Sequence, residues 1–233
     1  MGDRPYILLS CGMSIDGYVN GATDERLLLS NEADFDRVQQ VRAGCDAVLV
    51  GAATVRGDDP RLTVRSPALV AGRESRGLPP SPTKVTLTGS ADLDAGASFF
   101  SAGDAEKLVY CDSAAVRRAR RRLGHVATVV DGGHPVDVRR LGEDLAARGV
   151  GRLMVEGGGT VHTQYLTAGL ADELQLVVAP FFVGDRRARR FVDDGDFPWH
   201  PGRRARLAET RRIGDVVLLR YALSSRFCAE PDR

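Results

Sequence analysis

Short apolar runs alternate with helix-like stretches over most of the chain, and this alternation constrains the fold more than any other feature. Runs such as Tyr6–Cys11, Asp46–Gly51 and Lys84–Thr88 have the length and composition of buried strands. The stretch Asn31–Gly44 begins at a capping asparagine and ends at a glycine, which is typical of a helix. The alternation predicts a three-layer α/β/α fold with a mostly parallel central sheet.

The same pattern predicts the other elements. The further strands are Lys107–Cys111, His125–Val130, Arg152–Val155, Glu173–Pro180, Ala205–Thr210 and Asp215–Ala222, and the further helices are Ser113–Gly124, Asp137–Gly149 and Thr160–Gly169. The last two strands are joined by a tight turn at Gly214 and Asp215, so they form an antiparallel hairpin at the C-terminal end if they pair. In the helix Asn31–Gly44, we expect Phe35, Val38 and Val41 to share one face.

Two segments are predicted to lack regular structure. Ser66–Pro82 is rich in proline and glycine, and Gly184–Gly202 is rich in charge. Both are long enough to be functional loops rather than simple connections. Neither resembles a linker to a second core, so we expect one domain over residues 1–233 with its core at about 6–223.

Bulk composition excludes several functions. The formal net charge of +1 argues against a general nucleic-acid or membrane field. The four cysteines, including Cys228 in the tail, form no CxxC pair, and no signal peptide or membrane-length apolar run is visible, so we expect a cytoplasmic protein. The four histidines are scattered without an HExxH pattern, so no metal site is expected.

Two strand ends carry the residues that could perform chemistry, because ligands of open α/β sheets bind at the carboxyl ends of strands. The first is GAATVRGDDPRLTVR, Gly51–Arg65, with adjacent aspartates before a proline. The second is EGGGT, Glu156–Thr160, where three glycines precede a helix and could hold a phosphate. Each also has a structural interpretation: an Asp-Asp-Pro turn, a glutamate that caps a turn, and glycines needed only for backbone angles.

Taken together, several motifs resemble the pyrimidine reductases of riboflavin biosynthesis, which have a fold similar to dihydrofolate reductase. The resemblance runs from about Tyr6 to Leu223, and the motifs that carry it are MSIDGY from Met13, SNE from Ser30, VGAAT from Val50, DDPRLTVR from Asp58, VEGGGT from Val155, LADEL from Leu170 and APFFVG from Ala179.

The resemblance implies an NADPH-dependent oxidoreductase that converts a ribosylamino-pyrimidine 5′-phosphate to its ribitylamino form. In that reaction, the glycosylamine opens to an imine and hydride goes to C1′ of the former ribose. Members of the family are usually homodimers, so the resemblance implies one here. It leaves two substrates open, the deaminated uracil and the diaminopyrimidinone.

The family's functional positions carry over to residues of this sequence as expectations. Asp58 and Glu156 match acidic residues at the substrate, with catalytic roles. The substrate-binding positions are Ser10, Ser30, Asp58, Arg61, Leu62, Arg65 and Glu156, with Arg65 at the substrate phosphate. The cofactor-binding positions are Asp16, Gly51, Thr54, Thr88, Ser90, Gly157, Gly158, Gly159 and Thr160.

One position differs from many bacterial members, which have a lysine where this chain has Ser10. Stand-alone members that resemble the archaeal form have a polar, uncharged residue there. The chain has no H-x-E with P-C-x-x-C pattern of a zinc deaminase, so we expect a stand-alone reductase. The alternatives are a reductase of the same fold with another substrate, such as a folate or a secondary-metabolite pyrimidine, and a non-catalytic nucleotide-binding protein.

Overall fold

The structure of the protein, a computed structural model, describes residues 3–22 and 27–227, so Cys228 lies outside it. The described residues form two compact units. The first unit contains residues 3–5 and 37–156, and the second contains residues 6–22, 27–36 and 157–227. The prediction of a single domain stays a prediction. Within the described ranges, each helix is too short or too polar to cross a membrane.

The described strands are β1 (Tyr6–Ser14), β2 (Ala47–Gly51), β3 (Thr83–Thr88), β4 (Lys107–Cys111), β5 (Thr128–Asp131), β6 (Arg152–Gly157), β7 (Glu173–Ala179), β8 (Arg206–Ile213) and β9 (Val216–Ala222). The described α-helices are α1 (Glu32–Ala43), α2 (Ala52–Asp58), α3 (Pro67–Glu74), α4 (Ser98–Ser101), α5 (Val116–Leu123), α6 (Val138–Ala147) and α7 (Gly159–Thr167), and a short 3₁₀ turn at Ser113–Ala115 leads into α5.

The first unit is built on a parallel arrangement of strands in the order β5-β4-β3-β2-β6. β2 pairs parallel with β3, β3 with β4, and β4 with β5. Side chains on these strands, such as Leu49, Val85, Leu108 and Leu153, are fully buried. Strands buried on both faces read as continuous apolar runs, which is why the sequence pattern located them.

The second unit has strands in the order β1-β7-β9-β8. β1 and β7 are parallel, whereas β7 pairs antiparallel with β9, and β9 antiparallel with β8. The turn between β8 and β9 contains Gly214 at φ +62°, a backbone conformation that glycine adopts without steric cost. The predicted α/β fold class, with mostly parallel pairing and an antiparallel C-terminal hairpin, is confirmed.

Two predicted loops contain helices. Gly51–Arg65 was predicted to be a strand end followed by a polar loop, but its first part forms α2. Ser66–Pro82 was predicted to be irregular, but it contains α3, which has proline at its first turn, where the missing N–H costs nothing. The other predicted loop, 184–202, contains neither a helix nor a paired strand, as expected.

Helix α1 buries its polar face. Asn31 caps it, because its Oδ1 accepts a hydrogen bond from the N–H of Asp34 at 3.0 Å. Phe35, Val38 and Val41, which were predicted to share one face, are not the buried residues of α1, since Phe35 is 37% exposed and the two valines are only half-buried. The buried members of α1 are Asp34, Arg37, Gln39, Arg42 and Ala43. A helix that buries polar groups must have a partner for each of them.

Lys84 in β3 is a fully buried cation. Its Nζ donates hydrogen bonds to the carbonyl oxygens of Phe99 at 3.0 Å and Ala102 at 2.5 Å, at the end of α4. Burial, with a smaller contribution from the charge of Lys107, lowers the pKa of Lys84 from its ordinary 10.5 to about 8.

This lowered pKa predicts a pH dependence of stability. Between pH 8 and 10.5 the unfolded chain holds the Lys84 proton more tightly than the folded chain, so this lysine makes the free energy of unfolding rise with pH, by at most about 1.4 kcal/mol per pH unit. The free energy of unfolding of wild type and of Lys84→Met is measured with urea at pH 7.5, 9 and 10.5. We expect the value for wild type to rise relative to that for Lys84→Met as the pH increases. An equal slope in Lys84→Met and wild type would contradict the prediction.

Candidate active site

In the first unit, Glu156 is held by a two-point contact with Arg42. The Nε of Arg42 donates to Oε1 of Glu156 and its Nη2 donates to Oε2, each at 2.8 Å. The two side chains are only 10% and 16% exposed. Charge-assisted bonds in this paired geometry are among the strongest in proteins, and removing one partner of a buried pair costs roughly 3–5 kcal/mol.

The same guanidinium reaches the loop predicted to bind substrate. The Nη1 of Arg42 donates to the carbonyl oxygen of Thr63 at 3.1 Å. Three positions earlier on α1, Oε1 of Gln39 accepts a hydrogen bond from the backbone N–H of Arg65 at 2.9 Å. Residues three apart on a helix lie on the same side, so one face of α1 holds both Glu156 and the backbone of this loop.

Two residues fix the course of this loop with left-handed backbone. Asp59 ends α2 at φ 42°, and its carboxylate accepts hydrogen bonds from the N–H and the hydroxyl of Ser98 at 2.6 and 2.7 Å. Leu62 has φ 51° and a buried side chain. Left-handed backbone is unfavourable for residues with a Cβ and is often found at functional sites.

The predicted substrate residues around this loop differ in exposure. Asp58, Arg61 and Arg65 have exposed side chains, so they are available to a ligand, whereas Leu62 is part of the packing. The carboxylate of Asp58 makes no hydrogen bond to any residue that the structure describes. The first unit therefore brings Glu156 and the 59–65 loop together through Arg42.

The other predicted residues of the first unit lie at the carboxyl ends of β2 and β3. Gly51 is the buried cap of α2, and Thr54 lies half-buried inside that helix. The hydroxyl of Thr88 accepts a hydrogen bond from the N–H of Ala91 at 3.0 Å. Ser90 is exposed, and its carbonyl oxygen accepts a hydrogen bond from Arg118 of α5. These contacts support turns and do not link to Glu156.

In the second unit, the three glycines form a turn into α7. Gly157 has φ +122°, the peptide between Gly157 and Gly158 is cis, and Gly158 caps the helix. A Cβ at Gly159 would lie 2.5 Å from the carbonyl oxygen of Arg190, so glycine is required there by packing within the unit. The first N–H groups of a helix have no acceptor within the helix, which is why helix N-termini are suited to binding anions.

The first turn of α7 already carries a carboxylate. The hydroxyl of Thr160 donates to Oδ2 of Asp193 at 2.9 Å, and the N–H of Asp193 donates to the hydroxyl of Thr163 at 2.8 Å. Sequence reasoning missed Asp193, because nothing local in the 184–202 loop signals a partner 33 positions away.

A cavity of about 540 Å³ lies beside this turn in the second unit. Its lining is Met13, Gly17, Arg190, Phe191, Val192, Asp193, Asp194, Gly195 and Phe197. The volume is in the range of small-molecule sites. Most of the lining comes from the loop that the sequence predicted to be irregular and functional.

Asp16, the predicted cofactor residue next to Gly17, holds two loops together. Its carboxylate accepts hydrogen bonds from the Ser14 hydroxyl at 2.5 Å and from the N–H groups of Val183 and Gly184 at 3.1 and 2.8 Å. Although partial desolvation opposes the shift, these hydrogen bonds lower the pKa of Asp16 to about 2. Asp16 therefore supports the wall of the cavity near Gly17.

The two predicted serines are placed differently. Ser10 is buried within β1. Ser30 is half-buried, and its hydroxyl donates to the carboxylate of Asp34 in α1. No group of three or more potential metal ligands occurs among residues 3–22 and 27–227.

Comparisons with known proteins agree with the motifs. Residues 5–219 match the RibD C-terminal domain family. The 2,5-diamino-6-ribosylamino-4(3H)-pyrimidinone 5′-phosphate reductase of Archaeoglobus fulgidus is 33% identical over 225 residues, which cover 96% of this chain and 99% of that protein.

Solved structures share the fold. The deaminase/5-amino-6-(5-phosphoribosylamino)uracil reductase of Thermotoga maritima has a TM-score of 0.74 at 22% identity; the match covers 94% of this chain and 56% of that one. This chain thus spans little more than half the length of that protein. A dihydrofolate reductase of Enterococcus faecalis has a TM-score of 0.50 at 13% identity, over 93% of this chain and 95% of that one.

These matches confirm the resemblance that the motifs predicted, including the likeness to the dihydrofolate reductase fold. The chain belongs to the RibD C-terminal domain family.

Proposed function

We propose that this protein is the reductase that converts 2,5-diamino-6-ribosylamino-4(3H)-pyrimidinone 5′-phosphate to its ribitylamino form in riboflavin biosynthesis. The observation that carries the proposal is the match, over 96% of this chain and 99% of the relative, to the curated enzyme of that name. The cluster of Glu156, Arg42 and the 59–65 loop supports it, because it places fixed polar groups beside exposed ones at one strand end.

The reaction balances as a two-electron reduction. The ribosylamine ring opens to an imine between C1′ and the exocyclic nitrogen, hydride adds to C1′, and a proton goes to the nitrogen. The protein must hold the open sugar, bind the 5′-phosphate and manage one proton.

The exposed side chains of the first unit suit these tasks. Arg65 offers a guanidinium that can bind a phosphate at two points, and its backbone is fixed by Gln39. Asp58 is exposed, so its carboxylate can exchange a proton with substrate or water. Glu156 is locked by Arg42, so it acts as a hydrogen-bond acceptor for sugar or pyrimidine groups.

NADPH is the cofactor we propose, and when bound it supplies the hydride. The dihydrofolate reductase that shares the fold was solved with NADP(H). The turn Gly157–Thr160 fits a phosphate, since it leads into the N-terminus of α7 and the adjoining cavity is large enough for part of a nucleotide. Gly17 lines that cavity and would support the cofactor, and Asp16 holds the loop beside it in place.

A direct assay tests the function. The purified protein is incubated with NADPH and either the diaminopyrimidinone or the deaminated uracil substrate, and the loss of NADPH absorbance and the product mass are followed. We expect turnover of the diaminopyrimidinone, with a product that has gained two hydrogens. Preference for the uracil form would mean that the uracil is the substrate. Failure to consume NADPH with either pyrimidine would refute the proposed function.

Arg65→Ala tests the phosphate clamp. Loss of a charge-assisted, two-point contact should raise KM by about 10- to 100-fold for the phosphorylated substrate, while the dephosphorylated substrate should be affected little. Steady-state kinetics with both substrates gives the result. Arg139→Ala, an exposed arginine on α6, is the control, and an equal rise in KM for both substrates would contradict the assignment.

Asp193→Asn tests the helix N-terminus as a phosphate site. The carboxylate beside Thr160 repels an approaching phosphate, so its neutralisation should tighten NADPH binding by about 2- to 10-fold, and more at low salt. Calorimetric titration measures the Kd. The neighbouring Asp194→Asn, also on the cavity wall, should change it less, and weaker binding by Asp193→Asn would show that Asp193 helps to hold the cofactor.

We further propose that the protein is a cytoplasmic homodimer, as is usual in the family. Analytical ultracentrifugation of the purified chain tests the dimer, and a single species with the mass of one chain would exclude it.

A further inference from the structure

We propose that Arg42 is a positioning residue for the reduction: it aims the Glu156 carboxylate at substrate and locks the 59–65 loop in register with it. The inference rests on the proposed function of this site. It concerns a residue of α1 that no motif singles out and that lies 114 positions from Glu156 in the chain.

Arg42 uses all three of its guanidinium nitrogens. Nε and Nη2 bind the two oxygens of Glu156, and Nη1 binds the carbonyl oxygen of Thr63. A guanidinium is planar and rigid, so these three acceptors are held in one fixed plane relative to each other. A lysine, with its single ammonium, cannot reproduce that geometry.

The Glu156 carboxylate has hydrogen-bond acceptor positions that Arg42 does not use. A carboxylate has about four acceptor positions, and Arg42 takes two of them. The remaining positions can accept N–H or O–H groups of a substrate. Because Arg42 already holds the carboxylate, its orientation does not have to be established when substrate arrives, which is how preorganised polar groups contribute to rate.

The buried side of α1 carries polar residues. Gln39 and Arg42 are both buried, and each ends on the 59–65 loop. A helix that served only as packing would turn its apolar side inward, yet Phe35 of α1 is 37% exposed. The buried side of this helix therefore serves the loop and Glu156.

The division of roles follows. Glu156, with both oxygens bound, accepts hydrogen bonds from substrate, and Asp58 is the exposed carboxylate at the end of α2 that a substrate can contact. Arg42 itself acts only through Glu156 and the loop.

Arg42→Lys tests the inference. It keeps the positive charge and most of the side-chain volume, so the protein should fold, but it loses the three-point geometry. We expect kcat for the pyrimidine to fall by about 100-fold with a smaller change in KM, because the group is misplaced rather than removed. The Kd for NADPH should stay as in wild type.

The matched control is Arg73→Lys. Arg73 is also buried in the same unit, but it donates to the carbonyl oxygens of Ala43, Cys45 and Pro79 rather than to a carboxylate. We expect this variant to lower Tm and to leave kcat within about twofold of wild type. An equal loss of kcat in both variants would mean that Arg42 has only a structural role.

A double variant tests whether Arg42 acts through Glu156. Glu156→Gln alone should lower kcat, and Arg42→Lys added to it should cause a smaller loss than it causes in wild type, because only the contact with the Thr63 carbonyl oxygen is then left to lose. Fully multiplied losses in the double variant would overturn the inferred action through Glu156.

Hydrogen exchange of the ligand-free protein supplies a readout that needs no substrate. The peptide that covers residues 59–65 should exchange faster in Arg42→Lys and not in Arg73→Lys, and unchanged exchange would overturn the link to the loop. Failure of wild type to reduce any pyrimidine refutes the proposed function, whereas an active wild type with an active Arg42→Lys refutes only the role of Arg42.

Discussion

The paired hydrogen bonds between Arg42 and Glu156 are the interaction on which the candidate site of the first unit depends. They explain why α1 turns a polar face inward, against the usual preference of helices. Desolvating Gln39 and Arg42 is unfavourable unless each finds a partner, and each does, in the backbone of the 59–65 loop and in Glu156. The buried side of α1 therefore carries residues that hold the site, where apolar packing residues would otherwise be expected.

Much of the fold could be predicted from sequence, because buried parallel strands leave continuous apolar runs such as those of β2 and β4. The C-terminal hairpin was equally visible, since Gly214 stands between two strand patterns. The misses have physical causes. Helix α2 has only seven residues and no apolar repeat, and α3 lies in a segment rich in proline and glycine. The buried polar side of α1 was not predicted, because periodicity reports apolar spacing and not what a buried arginine pairs with.

The candidate site divides in the same way. Motifs singled out Asp58, Arg65 and Glu156, because the residues of each motif are local in the chain; in the structure Asp58 ends α2, Arg65 lies in the loop after it and Glu156 lies in β6. The partners that fix them are remote, as Arg42 is from Glu156 and Asp193 is from Thr160. A single sequence holds no signal for pairs that only the folded chain brings together. The match to the homologous reductase indicates the class of reaction. The structure shows which residues hold the candidate site residues in place.

The left-handed residues of the 59–65 loop have a consequence for how specificity can change. Asp59 and Leu62 keep an unfavourable backbone, and Ser98, Gln39 and Arg42 hold it there, so the ordering entropy of the loop is spent when the chain folds and not when a ligand binds. The loop backbone therefore fixes the distance between the exposed side chains of Asp58 and Arg65. The loop backbone cannot adjust to a ligand in which the groups bound by Asp58 and Arg65 are farther apart or closer together. A new substrate specificity would therefore come from exchanging side chains along the loop rather than from a change in its backbone.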